Sequence, residues 1–280
     1  MSVFYNAFRA GWINFADMEK FRIIPPATVL APYVRHYWLL ESDDVTHAQR
    51  IIPTGHVELV FHRGCPLERN GQVVSRTSVA GQANSYADLR LTGTVSMIVV
   101  VFRPFGAKAF FDVPLCELAG LVVSAEELNA PELKELEDRL CYTSDDAGCI
   151  RMIEVFLMAR LRCFTDYHYK RMVAAVRAID SSTGELSVSQ LAETVCLSNK
   201  QLLRVFSGYV GSSPKEFMRV VRFHRALFTL QHHPGMSFTR VACECGYYDQ
   251  AHMIRDFKEF SGYTPGEYVA VCAPYSDYFS

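Results

Sequence analysis

No stretch of this chain is long and apolar enough to enter a membrane as a helix. Its longest apolar run, VSMIVVVF (Val95–Phe102), falls far short of the roughly 20 residues a bilayer requires and closes on Arg103-Pro104. An excess of charge of one sign is also missing: 28 Lys+Arg against 30 Asp+Glu leave a net charge of -2 over 280 residues. Bulk charge therefore draws the chain to no polyanion, and any basic face has to be a local arrangement. The nine cysteines are odd in number and irregularly spaced, and no charged-then-apolar leader opens the sequence. A disulfide framework and a secreted compartment are not expected; a cytoplasmic protein with buried thiols is. Absent too are a nucleophile elbow, a phosphate-cradling glycine loop and a zinc-protease helix. Cys243-x-Cys245 offers no metal site, because positions i and i+2 of a helix face different ways. No enzyme, no metal and no cofactor is expected.

What is present divides into two halves, an α+β arrangement. Residues 1–165 are read as a β-rich domain that turns helical from about residue 104. YVRHYWLLE (Tyr33–Glu41), GHVELVFHR (Gly55–Arg63), GQVVSRTSVAG (Gly71–Gly81) and LRLTGTVSMIVVVF (Leu89–Phe102) are rich in β-branched and aromatic residues between Gly, Pro, Asn and Asp punctuation. Their spacing predicts a small barrel or sandwich, cupin-like in outline. Helical periodicity covers Ala125–Leu140 and Asp145–Phe164. In the second helix Ile150, Ile153, Val155, Phe156, Leu157 and Leu161 make a wide apolar surface, which suits intradomain packing and a dimer interface equally. The boundary falls near Thr165–Tyr169, and residues 166–280 read as all-helical.

That second half contains a repeat. Leu191-Ala192 recurs as Val241-Ala242, Leu202 as Met253, Arg204 as Arg255 and Phe206 as Phe257. Gly211, Pro214 and Phe217 recur as Gly262, Pro265 and Tyr268. Helix starts are marked by Ser187-x-x-Gln190, Ser198-x-x-Gln201, Ser213-x-x-Glu216 and Thr264-x-x-Glu267, each pairing a hydroxyl N-cap with an acid or amide at N3. Pro214 and Pro265 fall at N1, where the missing N–H costs nothing. Each copy is thus a short helix, a tight turn and a second helix, the helix-turn-helix layout. On the second helix of copy one, Leu202, Val205 and Phe206 point inward, leaving Lys200, Leu203 and Arg204 outward. In copy two Met253 and Phe257 are inward, and Ala251, Ile254, Arg255 and Lys258 outward. A continuous helix from Pro214 to His232, about 28 Å long at 1.5 Å per residue, joins the copies. With its turns it matches the roughly 34 Å between successive major grooves.

These residues resemble the AraC/XylS-type transcriptional regulators over about Tyr169–Tyr268. The signature is Gly246-x-x-Asp249-Gln250-x-His252, Arg255-x-Phe257-Lys258, Gly262-x-Thr264-Pro265 and Tyr268, with LSNKQLLRVFSGYVGSSPKEFMRVVRFHRA in copy one. The resemblance implies two helix-turn-helix motifs joined by a long helix, binding double-stranded DNA and answering to RNA polymerase. It implies base-reading or helix-start roles for Lys200, Gln201, Leu203, Arg204, Gln250, Ala251, His252, Ile254, Arg255 and Lys258, and phosphate contacts for Arg219 and Arg222. Ala251 stands where the family often has Ser, and Met253 where it usually has an aromatic. Arg255 is then the main polar reader of copy two. For the N-terminal half the resemblance implies a sensor domain with dimerising helices, hence a small-molecule effector or a homodimer. Strand alternation puts His36 with Trp38 and His56 with Glu58. A barrel interior lined by these four and Arg103 would hold a small polar-aromatic effector. Two other classes remain open: a protein-interaction module built of helical pairs, and an enzyme with an appended DNA-binding module.

Overall fold

The computed structural model describes residues 20–42, 48–162, 167–182 and 186–272. Among the described residues ten strands form two open antiparallel sheets, so that of the expected barrel or sandwich no closed barrel is present. The larger sheet runs β1-β2-β9-β4-β7-β10: Lys20–Ile24, Val34–Ser42, Val95–Phe102, Glu58–His62, Thr77–Ala80 and Val122–Ser124. The smaller runs β3-β8-β5-β6: Ala48–Ile51, Ala87–Leu91, Leu67–Arg69 and Gln72–Val74. Among the described residues the edge strands β1 and β10 of the larger sheet pair with neither β3 nor β6 of the smaller, and the chain changes sheet at Ser75-Arg76. That break splits the stretch read as one strand over Gly71–Gly81 into β6 of the small sheet and β7 of the large one.

The larger sheet is covered on both faces, which explains why VSMIVVVF has no alternating polar residues. Side chains of a strand alternate between faces. Tyr37, Leu39, Ile98, Val100 and Phe102 therefore join one core with helices α1 (Pro131–Cys141) and α2 (Asp146–Arg160). Trp38, Leu40, Met97, Val99 and Val101 join the other core, shared with the smaller sheet and with helices of the C-terminal half. Segment 104–130 is less helical than its sequence predicts. It holds two single 3-10 turns, Ala107–Ala109 and Leu115–Leu118, and strand β10. Asn129 takes a positive φ of 50° and Pro131 sits at N1, so α1 begins there and not at Ala125. Of the apolar surface predicted on α2, Ile150, Ile153, Phe156 and Leu157 are buried within the protein, while Val155 stays 62% exposed.

Residues 163–166, beside the expected boundary, lie outside the described residues; helix α3 begins at Tyr167 and ends at Ser181. Beyond it come α4 (Val188–Thr194), α5 (Asn199–Val210), α6 (Pro214–His232), α7 (Phe238–Glu244), α8 (Gln250–Ser261) and α9 (Pro265–Cys272). Ser187, Ser198 and Ser213 each close a full capping box, and Thr264 with Glu267 does the same for α9. Helix α6 serves both copies of the repeat. Its Phe217 and Val221 pack with α3, α4 and α5, and its Phe223, Ala226, Leu227 and Leu230 pack with α7 and α8.

Candidate nucleic-acid interface

Each copy presents one helix whose inner face is fixed by packing. Leu202, Val205 and Phe206 bury the inner face of α5; Met253 and Phe257 bury that of α8. Given that anchoring, helical spacing forces Lys200, Gln201, Leu203 and Arg204 to the surface in copy one, and Ala251, Arg255 and Lys258 in copy two. Leu203 is 49% exposed, and Ile254 lies half-buried at the edge of its face. Among the described residues none forms a hydrogen bond or ion pair with the side chain of Lys200, Arg204 or Arg255. Two repeat-related arginines thus stand outward with their donors available. Both helices end on a left-handed glycine, Gly211 at φ 98° and Gly262 at φ 76°.

The other expected contacts divide differently. Gln201 accepts from Ser198 N at 3.1 Å and closes the cap of α5. Gln250 Oε1 accepts from Thr239 Oγ1 at 2.8 Å, which ties α8 to α7. His252 is half-buried edge-on against Tyr247 at 5.2 Å, and burial lowers its pKa. Arg219 and Arg222 were expected on phosphate, but both are engaged internally. Arg219 donates to Asp256 at 2.7 Å and to Glu259 at 2.6 Å, clamping α6 to α8. Arg222 donates to Gly246 O at 3.2 Å and lies over the Tyr247 ring at 4.9 Å. A guanidinium satisfied by two acids offers a phosphate little. One exposed group was not foreseen. Tyr248, 94% exposed in the turn before α8, follows no hydrophobic period, and only its position in the repeat marks it out.

The N-terminal half contains a cavity of about 80 Å³ between its two sheets. Ile52, His56, Glu58, Arg69, Leu89 and Met97 are among its lining residues. Of the five residues expected to line an effector site, the structure brings His56 and Glu58 together there. Trp38 is buried in the core, His36 is buried near Arg35 and Arg103, and Arg103 is exposed and donates to Ala31 O at 2.8 Å. Burial pushes the Glu58 carboxyl up to about 7, against the opposing pull of the Thr54 hydroxyl and the Arg69 guanidinium. Burial holds the histidines neutral: His62 is lowered to about 4, His36 to about 3, and His56 well below its ordinary value, the last two also opposed by Arg35. Among the described residues no cluster of His, Cys, Asp and Glu is arranged to hold a metal, and no helix is long and apolar enough to cross a membrane.

Two helix-turn-helix units sharing one long helix, each with an outward basic reading helix, define a DNA-binding module. Comparison with known proteins specifies it further. Residues 191–270 match the family model described as a helix-turn-helix domain, and residues 22–124 match a domain of unknown function (DUF6597). An uncharacterised HTH-type transcriptional regulator of Haemophilus influenzae is 32% identical over 100 residues, 35% of this chain and 33% of that protein. The HTH-type transcriptional regulator ArgR of Pseudomonas aeruginosa is 27% identical over 35% of this chain and 30% of its own length. The chain thus spans about a third of these two relatives. Regulator YidL of Escherichia coli is similar over 91% of this chain and 82% of its own, at 23% identity. Among solved structures, an AraC-type DNA-binding domain from Chromobacterium violaceum is 26% identical over 36% of this chain and 91% of that one, with a TM-score of 0.34. ToxT from Vibrio cholerae covers 90% of this chain and 99% of its own at 10% identity, with a TM-score of 0.43. The C-terminal part of the chain is an AraC-type helix-turn-helix domain of the kind carried by transcriptional regulators, here behind a β-rich N-terminal domain.

Proposed function

We propose that the chain is a transcriptional regulator that reads specific double-stranded DNA with the exposed faces of α5 and α8, one in each of two successive major grooves. The observation that carries this reading is the repeat-related pair Arg204 and Arg255, outward on helices whose inner faces are locked in the core. Arginine pairs bidentately with guanine O6 and N7, and Leu203, Ala251 and Ile254 suit thymine methyls. Lys200 and Lys258 add phosphate or base contacts at the same faces. Sites selected from a random DNA pool, then footprinted, test this. Arg204→Ala and Arg255→Ala are each expected to weaken binding by about 1–3 kcal/mol, with relaxed specificity confined to the bases under the altered helix. An unchanged footprint and affinity in both variants would remove the assigned roles.

The N-terminal half is proposed to bind a small effector in the cavity between its sheets. Mostly apolar walls with Glu58 and Arg69 inside suit a compact apolar molecule carrying one or two polar groups. Val155 and Met158, 62% and 42% exposed on α2, suit a homodimer contact. RNA polymerase is the natural partner of a regulator that binds at promoters.

A further inference from the structure

The N-terminal half touches both reading helices at the same repeat position, their C-terminal caps. At the end of α5, a Cβ on Gly211 would lie 3.3 Å from Leu115 O and 3.6 Å from Gln82 Cγ. The next residue, Ser212, donates through Oγ to Gln82 Oε1 at 2.6 Å, and Gln82 Nε2 donates to Gly55 O at 2.9 Å. At the end of α8, a Cβ on Gly262 would lie 2.6 Å from Arg50 Nη1 and 3.0 Å from the Tyr86 ring. Arg50 donates to Ser261 O at 3.3 Å, and its guanidinium lies 4.2 Å from the Tyr86 centroid and 4.8 Å from that of Tyr263. Asp88 anchors it through Nε at 2.7 Å and Nη2 at 3.0 Å.

The two grips share one support. Gln82 and Tyr86 belong to the loop between β7 and β8, and Arg50 pairs with Asp88 across β3 and β8. Between the grips the same body meets α6: His224 Nε2 lies 2.6 Å from Pro53 O, and a Cβ on Gly55 would meet Phe217 at 3.2 Å. We propose that this support acts as a caliper: it holds both reading helices by their caps, sets the separation at which they meet DNA, and transmits the state of the cavity to that separation. The last clause rests on the effector reading above. Its physical ground is that the gripping segments are also cavity walls. Ile51 and Ile52 follow Arg50, while Gly81 and Ala83 flank Gln82, and all four line the cavity. A molecule wedged between the sheets pushes on the segments that carry Arg50 and Gln82. Such helices enter the major groove by their N-terminal turns. Grips at the opposite ends therefore leave the reading faces accessible and tune spacing without blocking DNA.

The test uses the full chain. Selected DNA sites are compared with copies in which one base pair is added or removed between the two half-sites. Wild type is expected to discriminate against the altered spacings, and Arg50→Ala/Gln82→Ala to reduce that discrimination by about threefold or more. Because the double variant touches buried Gln82, Tyr86→Ala serves as a milder second variant in an exposed loop. Amide hydrogen exchange without DNA supplies an independent readout. Residues 211–213 should exchange about threefold faster or more in the double variant, and residues 262–264 in both variants. Filling the cavity with Ala83→Leu is expected to alter exchange at the same two caps. Unchanged cap exchange and unchanged spacing discrimination in folded Arg50→Ala/Gln82→Ala and Tyr86→Ala would overturn the caliper. Caps indifferent to Ala83→Leu would overturn its link to the cavity. Loosened caps in a protein that selects no DNA would instead leave the grip standing and sink the DNA-binding reading.

Discussion

Arg219 separates two accounts of the long helix, because removing it has opposite signatures under each. In the structure it clamps α6 to α8 through Asp256, whose side chain is 2% exposed, and Glu259, whose side chain is 49% exposed. The Asp256 bonds are 3.1 and 2.7 Å long. Arg219→Ala leaves a carboxylate buried with its strongest partner gone. Breaking a fully buried pair costs about 3–5 kcal/mol. The Arg219 side chain is 23% exposed, so water reaches the pair, and about 2–3 kcal/mol is the better expectation. Thermal unfolding should move down by roughly 5–10 °C. Asp256→Ala in the Arg219→Ala background should recover part of that loss, since the stranded charge is gone. Were Arg219 a phosphate contact, the variant would keep its melting temperature and lose about one unit of salt slope in DNA binding. That second pattern would refute the internal role argued from these distances.

Acid and alkali should act on the cavity through Glu58. Its folded pKa is raised from 4.5 to about 7, so between those values the folded state holds a proton the unfolded chain has lost. Stability from this group therefore falls as pH rises from about 4.5 to 7. Glu58→Gln should flatten that part of the unfolding profile relative to wild type; a parallel profile would show that Glu58 is not desolvated. The comparison must be a difference, because His36 and His62 are depressed and act oppositely, losing stability as pH falls below 6.5. Cys196 sits at φ 51° in the turn between α4 and α5, where the other copy has Gly246 at φ 76°. Cys196→Gly should stabilise by about 0.5–1 kcal/mol, the relief of left-handed strain less the added chain entropy. A lower melting temperature would contradict that balance.

Much of the C-terminal half was legible because its signals are local. A capping box is written within four residues, and Ser198 with Gln201 or Ser213 with Glu216 close in space as their spacing says. The inward set of α5 follows from period alone, and burial of Leu202, Val205 and Phe206 agrees. The β half was legible in composition but not in pairing. Gly71–Gly81 reads as one strand because nothing in its residues states that β6 pairs with β5 while β7 pairs with β4. The cavity suffered likewise. Strand alternation put His36 with Trp38 and His56 with Glu58, but it could not say which pair faced a void and which a packed core.

Arginine is where local reading reaches its limit. Arg50, Arg219, Arg222 and Arg255 look alike as residues, and strand alternation for the first or helical phase for the other three assigns each only a direction about its own axis. Partners from other elements decide the rest. Asp88 takes Arg50, Asp256 and Glu259 take Arg219, and Gly246 O takes Arg222. Arg204 and Arg255 meet no such partner among the described residues. Under the proposed function, a chain with a net charge of -2 meets a polyanion by leaving particular cations unneutralised on two short helices. Attraction of that kind is short-ranged, within about 10 Å at 0.1 M salt. It helps only where both helices reach the duplex together, and so the geometry between them carries as much weight as the residues on them.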